Sequence, residues 1–149
     1  MNIFTQFKKL CMVKISKTYV PKETEKYMCA KHLVYFKQKL TEWKKDLKRS
    51  NNEAIFNASM DDNSASADIV DQASSYTEKN VEMRAINRQI KLISKIDSAL
   101  KRIQVGTYGF CEETGEPIGL KRLMARPVAT LSIAAQEQHE KEEKVFADS

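Results

Sequence analysis

The stretch from Tyr108 to Ala135, YGFCEETGEPIGLKRLMARPVATLSIAA, decides how the chain is read. It has the spacing of a four-cysteine metal site, in which tetrahedral zinc takes two thiolates from each of two tight knuckles. The four ligand positions hold Cys111, Thr114, Ser132 and Ala135, so one thiolate survives. Neither His32 nor His139 restores the spacing, although His139 lies four residues beyond the last position. The pattern therefore predicts a degenerate zinc-ribbon-like module over residues 106–149, with zinc absent. Hydrogen bonds from Thr114 and Ser132 and close packing at Ala135 would link the knuckles in its place. Cys111 reads as a small buried residue, or as a redox-active thiol if solvent reaches it.

Upstream, Leu33, Phe36, Leu40, Trp43 and Leu47 recur at 3-4-3-4 spacing, which builds one coiled-coil seam. A second seam runs through Ile86, Ile90, Ile93, Ile96, Leu100 and Ile103. Between them lies the polar run NASMDDNSASAD, so two long helices joined by a polar link make an antiparallel hairpin. At 1.5 Å per residue its arm projects on the order of 40 Å. Gly106 and Gly109 supply the left-handed cap and tight turn where the second helix should stop. Ser132 is a candidate N-cap for a final helix. The expected fold is mainly α: a long antiparallel coiled-coil hairpin over 27–105, an acidic tip near 61–73, then the ribbon-like module with its C-terminal helix. Residues 1–26, which include Pro21 and no sustained periodicity, read as a flexible or partner-ordered leader.

The net charge of +5 hides a division along the chain. Residues 1–50 carry thirteen Lys and Arg against four acids, whereas residues 51–83 carry one base against seven acids. A protein laid along duplex DNA gains nothing from an acidic island between basic blocks, so sequence-specific DNA binding is not expected. The three cysteines at 11, 29 and 111 form no disulfide framework. The apolar runs are too short to cross a membrane, and Lys8 and Lys9 interrupt any signal-peptide core. A cytoplasmic monomer is expected.

The run Gly109, Phe110, Cys111, Gly115, Ile118, Gly119, Arg122, Leu123, Ala125, Arg126, Pro127 resembles the C-terminal module of the DksA/TraR family of bacterial transcription factors. Glu25 to Leu47 resembles the first coiled-coil helix of that family, and DIVDQA from Asp68 to Ala73 matches its D-x-x-D-x-A tip motif. The resemblance implies a factor that enters the secondary channel of bacterial RNA polymerase and regulates initiation in the stringent response together with ppGpp. It places Asp68, Asp71 and the small Ala73 at the fingertip, near the polymerase active centre. By spacing alone, Asp68 and Asp71 are equally a cap and a first-turn acid on the second helix. The resemblance also implies that Arg88, Leu92, Lys95 and Arg126 help hold ppGpp against the polymerase rim, although by themselves they read as an ordinary basic face. The basic residue the family places after the last ligand position is Gln136 here.

No catalytic constellation is assembled, because there is no phosphate loop and the two histidines stand on separate segments. The reading is therefore of a non-enzyme. Two alternatives remain at this stage. One is a Gre-like transcript-cleavage factor, in which acidic tip residues would hold Mg2+ for the polymerase. The other is a basic zinc-ribbon-like protein that binds DNA directly.

Overall fold

A computed structural model of the chain describes residues 15, 16, 19–60 and 69–147, without the side chains of 58–60, 69–75 and 145–147. Asp61, Asp62 and Asp68 lie outside the described residues. The described residues form four helices: α1 (Ala30–Met60), α2 (Ile69–Val105), α3 (Leu120–Ala125) and α4 (Ile133–Ala147). Among the described residues the only extended pairing is an isolated antiparallel bridge between Phe110 and Pro117. The mainly helical reading therefore holds. The two long helices have 31 and 37 residues, and α1 runs on through Asn57–Met60, which the sequence assigned to the link. At the other end α1 starts at Ala30, because Met28 takes a positive φ of 50° and the Cys29 N–H closes a turn on Lys26 O.

The chain divides into two compact units, one of residues 41–97 and one of residues 1–40 with 98–149. In the first, Lys44 pairs with Asp97, so the start of one helical segment meets the end of the other and the segments run antiparallel. Ile86 and Ile96 are buried, but Ile90 is 51% exposed. The seam passes instead through Ile86, Gln89, Ile93 and Ile96, continuing on α2 to Leu100 and Ile103, and this keeps the 3-4 alternation that Ile90 breaks. Geometry outranks hydrophobicity here, and a glutamine occupies a seam position. Asn51 on α1 is also buried, and the Oδ1 of Asn51 and the Oε1 of Gln89 lack hydrogen-bond partners among the described residues. Counting seven residues on from Lys44 and seven back from Asp97 brings positions 51 and 90 level, so Gln89 lies one residue from the level of Asn51.

The second unit is built round Phe36, Leu40, Ile103, Tyr108 and Leu123, all essentially inaccessible. Each such side chain contributes about 1.5–3 kcal/mol on leaving water. Phe36 contacts both Tyr35 and Tyr108, with ring centroids 5.4 and 5.5 Å apart. Tyr108 donates its buried hydroxyl to Pro127 O at 2.7 Å. α2 ends where Gly106 enters the left-handed region at φ 90°, and the N–H groups of Gly106, Thr107 and Tyr108 converge on Arg102 O. Most of the segment expected as a leader lies outside the described residues. Its described part is held in place, with Glu23 paired to Lys121 at 3.5 Å and Pro21 buried. Just beyond it, Tyr27 donates to Gly109 O at 2.6 Å and accepts from Gly119 N at 3.1 Å.

Candidate functional site

The ribbon frame is folded, with polar bonds where a metal would bind. In the first knuckle Cys111 N–H bonds Glu116 O at 2.8 Å and Gly115 N–H bonds Cys111 O at 3.1 Å. Glu112 N–H reaches across to Thr130 O at 3.0 Å, which ties the first knuckle to the approach of the second. Cys111 is 4% exposed, and its sulfur receives the Thr114 hydroxyl and the backbone N–H groups of Thr114, Ser132 and Glu113. Burial pushes its pKa up, but these donors outweigh burial and draw it down to about 6. The bond that joins the two knuckles is the one from Glu112 N–H to Thr130 O, with the Cys111 sulfur buried beside it.

The Thr114 hydroxyl stays within its own knuckle, where Glu116 N–H lies 3.4 Å away, and Ser132 takes the N-cap place expected of it. Its N–H serves the sulfur, while its hydroxyl accepts from Ala135 N at 3.3 Å and caps α4. Ala135 is 5% exposed and offers no donor atom for a metal. One sulfur, one hydroxyl spent as a cap, one threonine and one methyl do not fit tetrahedral zinc. His139, the nearest imidazole in sequence, pairs with Glu113, and the hydrogen bond and negative charge of that carboxylate raise its pKa.

Two arginines that the sequence reading left without a structural role brace the same frame. Arg102, whose side chain is 13% exposed, donates to Phe110 O and lies 3.5 Å from Glu112. Arg122 donates to Leu131 O at 3.0 Å. Lys39 on α1 donates to Met124 O at 3.0 Å. Nothing in a single sequence separates such bracing cations from solvated ones.

Of the tip residues, Asp68 lies outside the described residues, and α2 begins at the next position. Asp71 and Ala73 fall within α2, their side chains not described. Arg88 and Lys95 are exposed on α2 and Leu92 between them is half-buried. Arg126 is exposed in the other unit, where its N–H closes α3 on Arg122 O at 2.7 Å. Besides Ile90, the unit of residues 41–97 exposes Ile55, Phe56, Tyr76, Val81 and Met83, each more than half accessible. Periodicity did not single these out, because residues off a seam read as solvated whatever their type.

A paired-helix hairpin and a small head built on a ribbon frame define a class of helical-arm factors with zinc-ribbon-derived heads. Residues 32–103 match the family described as DnaK suppressor protein DksA, N-terminal domain, and residues 106–141 match the prokaryotic dksA/traR C4-type zinc finger. The chain belongs to the DksA/TraR family. It is 51% identical over 130 residues to the RNA polymerase-binding transcription factor DksA of Caulobacter vibrioides, which covers 87% of this chain and 91% of that protein. With the protein of the same name from Escherichia coli K12 the identity is 35%, covering 87% and 85%. The solved structure of transcription factor DksA2 from Pseudomonas aeruginosa superposes with a TM-score of 0.71 at 34% identity, covering 94% of this chain and 98% of that one. No described helix is long and apolar enough to cross a membrane.

Proposed function

We propose that this chain is a cytoplasmic, non-enzymatic factor that binds bacterial RNA polymerase through the secondary channel and regulates initiation together with ppGpp. The observation that carries this reading is family membership along nearly the whole chain, from the hairpin through the ribbon. Asp68, Asp71 and Ala73 form the tip that approaches the polymerase active centre. Ile55, Phe56, Tyr76, Val81 and Met83 supply apolar contact for the channel wall. Arg88, Lys95 and Arg126 meet the phosphates of ppGpp, for which fixed guanidinium donors are well suited, and Leu92 packs beside them. Gln136 in place of a cation makes the response to ppGpp shallower than in relatives that keep a basic residue there. The ribbon holds its shape through the Glu112–Thr130 bond and the buried Cys111, without zinc at positions 111, 114, 132 and 135. Regulation follows from differential affinity for competing polymerase states, so the least stable promoter complexes respond most.

The test is initiation from a ribosomal RNA promoter by the cognate polymerase, with and without the protein, across a ppGpp titration. Inhibition that deepens with ppGpp is expected. Asp71→Asn should bind polymerase as the parent does and lose regulation, and an Asp71→Asn variant that still inhibits would remove the tip from the mechanism. Shortened transcripts released from stalled complexes would favour the cleavage reading instead.

A further inference from the structure

Away from the ribbon, the turn before α1 gathers a second set of metal-competent atoms. Glu25, Cys29 and His32 each present one ligand atom, and all three atoms lie within 4.8 Å of one another. The spacing E-x3-C-x2-H explains the convergence. Cys29 and His32 are three apart where α1 starts, hence on one face, and Glu25 sits on the turn just before, its N–H bonded to Lys22 O at 3.2 Å. His32 Nε2 is 3.0 Å from Glu25 Oε2, close to the edge of about 3.3 Å that two ligands make on a tetrahedral ion with bonds near 2.0 Å.

The surroundings are unusual for a plain hydrogen-bonded cluster. His32 is fully buried, and its Nδ1 has no hydrogen-bond partner among the described residues. With Nδ1 unpartnered, no neighbour on that side fixes the imidazole tautomer, so Nε2 can present its lone pair to a cation. Tyr19 donates its hydroxyl to Glu25 Oε2, as outer residues do that orient a ligating carboxylate. The nearby cation is Lys31, 3.7 Å from Glu25 with a side chain 59% exposed. The Tyr19 hydroxyl, His32 Nε2 and Lys31 thus gather about the Glu25 carboxylate, with the Cys29 sulfur within reach of it and of the imidazole.

We propose that Glu25, Cys29 and His32 bind one zinc ion, held by a thiolate, an imidazole and a carboxylate and completed by a water. Thiolate with imidazole favours zinc over magnesium or calcium, which take oxygen ligands. On binding, the Cys29 thiol proton passes to solvent, and the imidazole proton leaves Nε2 for Nδ1. The ion clips the segment from Tyr19 to Cys29 onto the first turn of α1. This site shares no residue with the four ribbon positions, and it stands whether or not the chain acts on polymerase.

The experiment uses the full chain, stripped of metal with chelator and kept reduced. Cobalt(II) is titrated first, as a spectroscopic stand-in, and zinc affinity is then measured by competition with a chromophoric chelator. One equivalent of cobalt per chain should give a thiolate charge-transfer band with tetrahedral ligand-field bands, and zinc should abolish both. Cys29→Ser should lose the charge-transfer band and bind zinc at least about 100-fold more weakly, beyond the 10–100-fold typical of outer-shell changes. Tyr19→Phe should weaken binding by about 10-fold. Cys111→Ser and Cys11→Ser should leave the band unchanged. In the parent but not in Cys29→Ser, zinc should slow tryptic cleavage after Lys22 and Lys26. The proposal is overturned by absence of a stoichiometric band in the parent, by a band that persists in Cys29→Ser, or by one that disappears in Cys111→Ser. Cys29 is half-buried, and helix content of each variant separates loss of the band from loss of the fold.

Discussion

At the scale of single residues, Cys111 and Gly109 set the character of the head. The folded pKa of Cys111 lies near 6 against 9.0 for an ordinary thiol, so the native state binds fewer protons than the unfolded chain between those values. Its contribution is fully present above pH 9 and fades as pH falls through 6, so stability rises with pH across that window. His139 acts in the opposite sense: its raised pKa contributes below 6.5 and is lost as pH rises through the folded value. Denaturant unfolding from pH 6 to 9 should show the rising slope in the parent, and Cys111→Ser should remove it and leave the shallow decline from His139. Gly109 has φ +94°, and a Cβ there would lie 2.7 Å from Met28 Cγ. Gly109→Ala should cost about 1–2 kcal/mol for the backbone alone, with the clash added. Met28→Ala in the same chain should relieve the clash and leave the backbone cost, which a double-mutant cycle would read as coupling. The glycine was legible in the sequence as a turn, but its tight approach to Met28 was not, because that neighbour is eighty-one positions away.

At the scale of elements, the paired helices were the most legible part of the chain. A 3-4 repeat of apolar residues needs no long-range information, and Leu33, Phe36 and Leu40 are buried where it puts them. It misled at one position, where Ile90 attracted the reading and Gln89 holds the place. Burying the amide oxygens of Asn51 and Gln89 has a cost, since a buried amide oxygen without a partner loses about 1–3 kcal/mol. Asn51→Leu should therefore raise the unfolding free energy by roughly 1 kcal/mol or more, read as a higher denaturant midpoint, while exchange broadening across residues 41–97 reports loosened register. An unchanged midpoint would mean that water already satisfies the amide. The ribbon was half legible. Its knuckle spacing marked the four positions, but the division of labour at Ser132, N–H to the sulfur and hydroxyl to the helix, depends on backbone direction that spacing does not encode. Glu25, Cys29 and His32 went unread for a related reason: a search for paired cysteines passes over a mixed donor set.

At the scale of the whole molecule, charge is distributed by task. The acidic middle of the sequence would oppose a polyanion, while Arg88, Lys95 and Arg126 stand exposed elsewhere. Arg126→Ala should leave basal inhibition of a ribosomal RNA promoter within about two-fold of the parent and raise the ppGpp concentration for half-maximal effect by about 10-fold, the equivalent of one strong charged hydrogen bond. Equal sensitivity in the variant would detach this arginine from the effector.

The double use of Ser132 also bears on how the sequence can change. Its hydroxyl caps α4 and its N–H holds the Cys111 thiolate, so Ser132→Cys would weaken a cap worth about 1 kcal/mol before any metal could repay it. Thr114→Cys would remove a donor from the thiolate and set a second thiol beside it, an invitation to a disulfide under oxidising conditions. Each single step back toward four cysteines thus passes through a poorer head than the present one. Single changes at either knuckle lower the stability of the head before a second change can restore it.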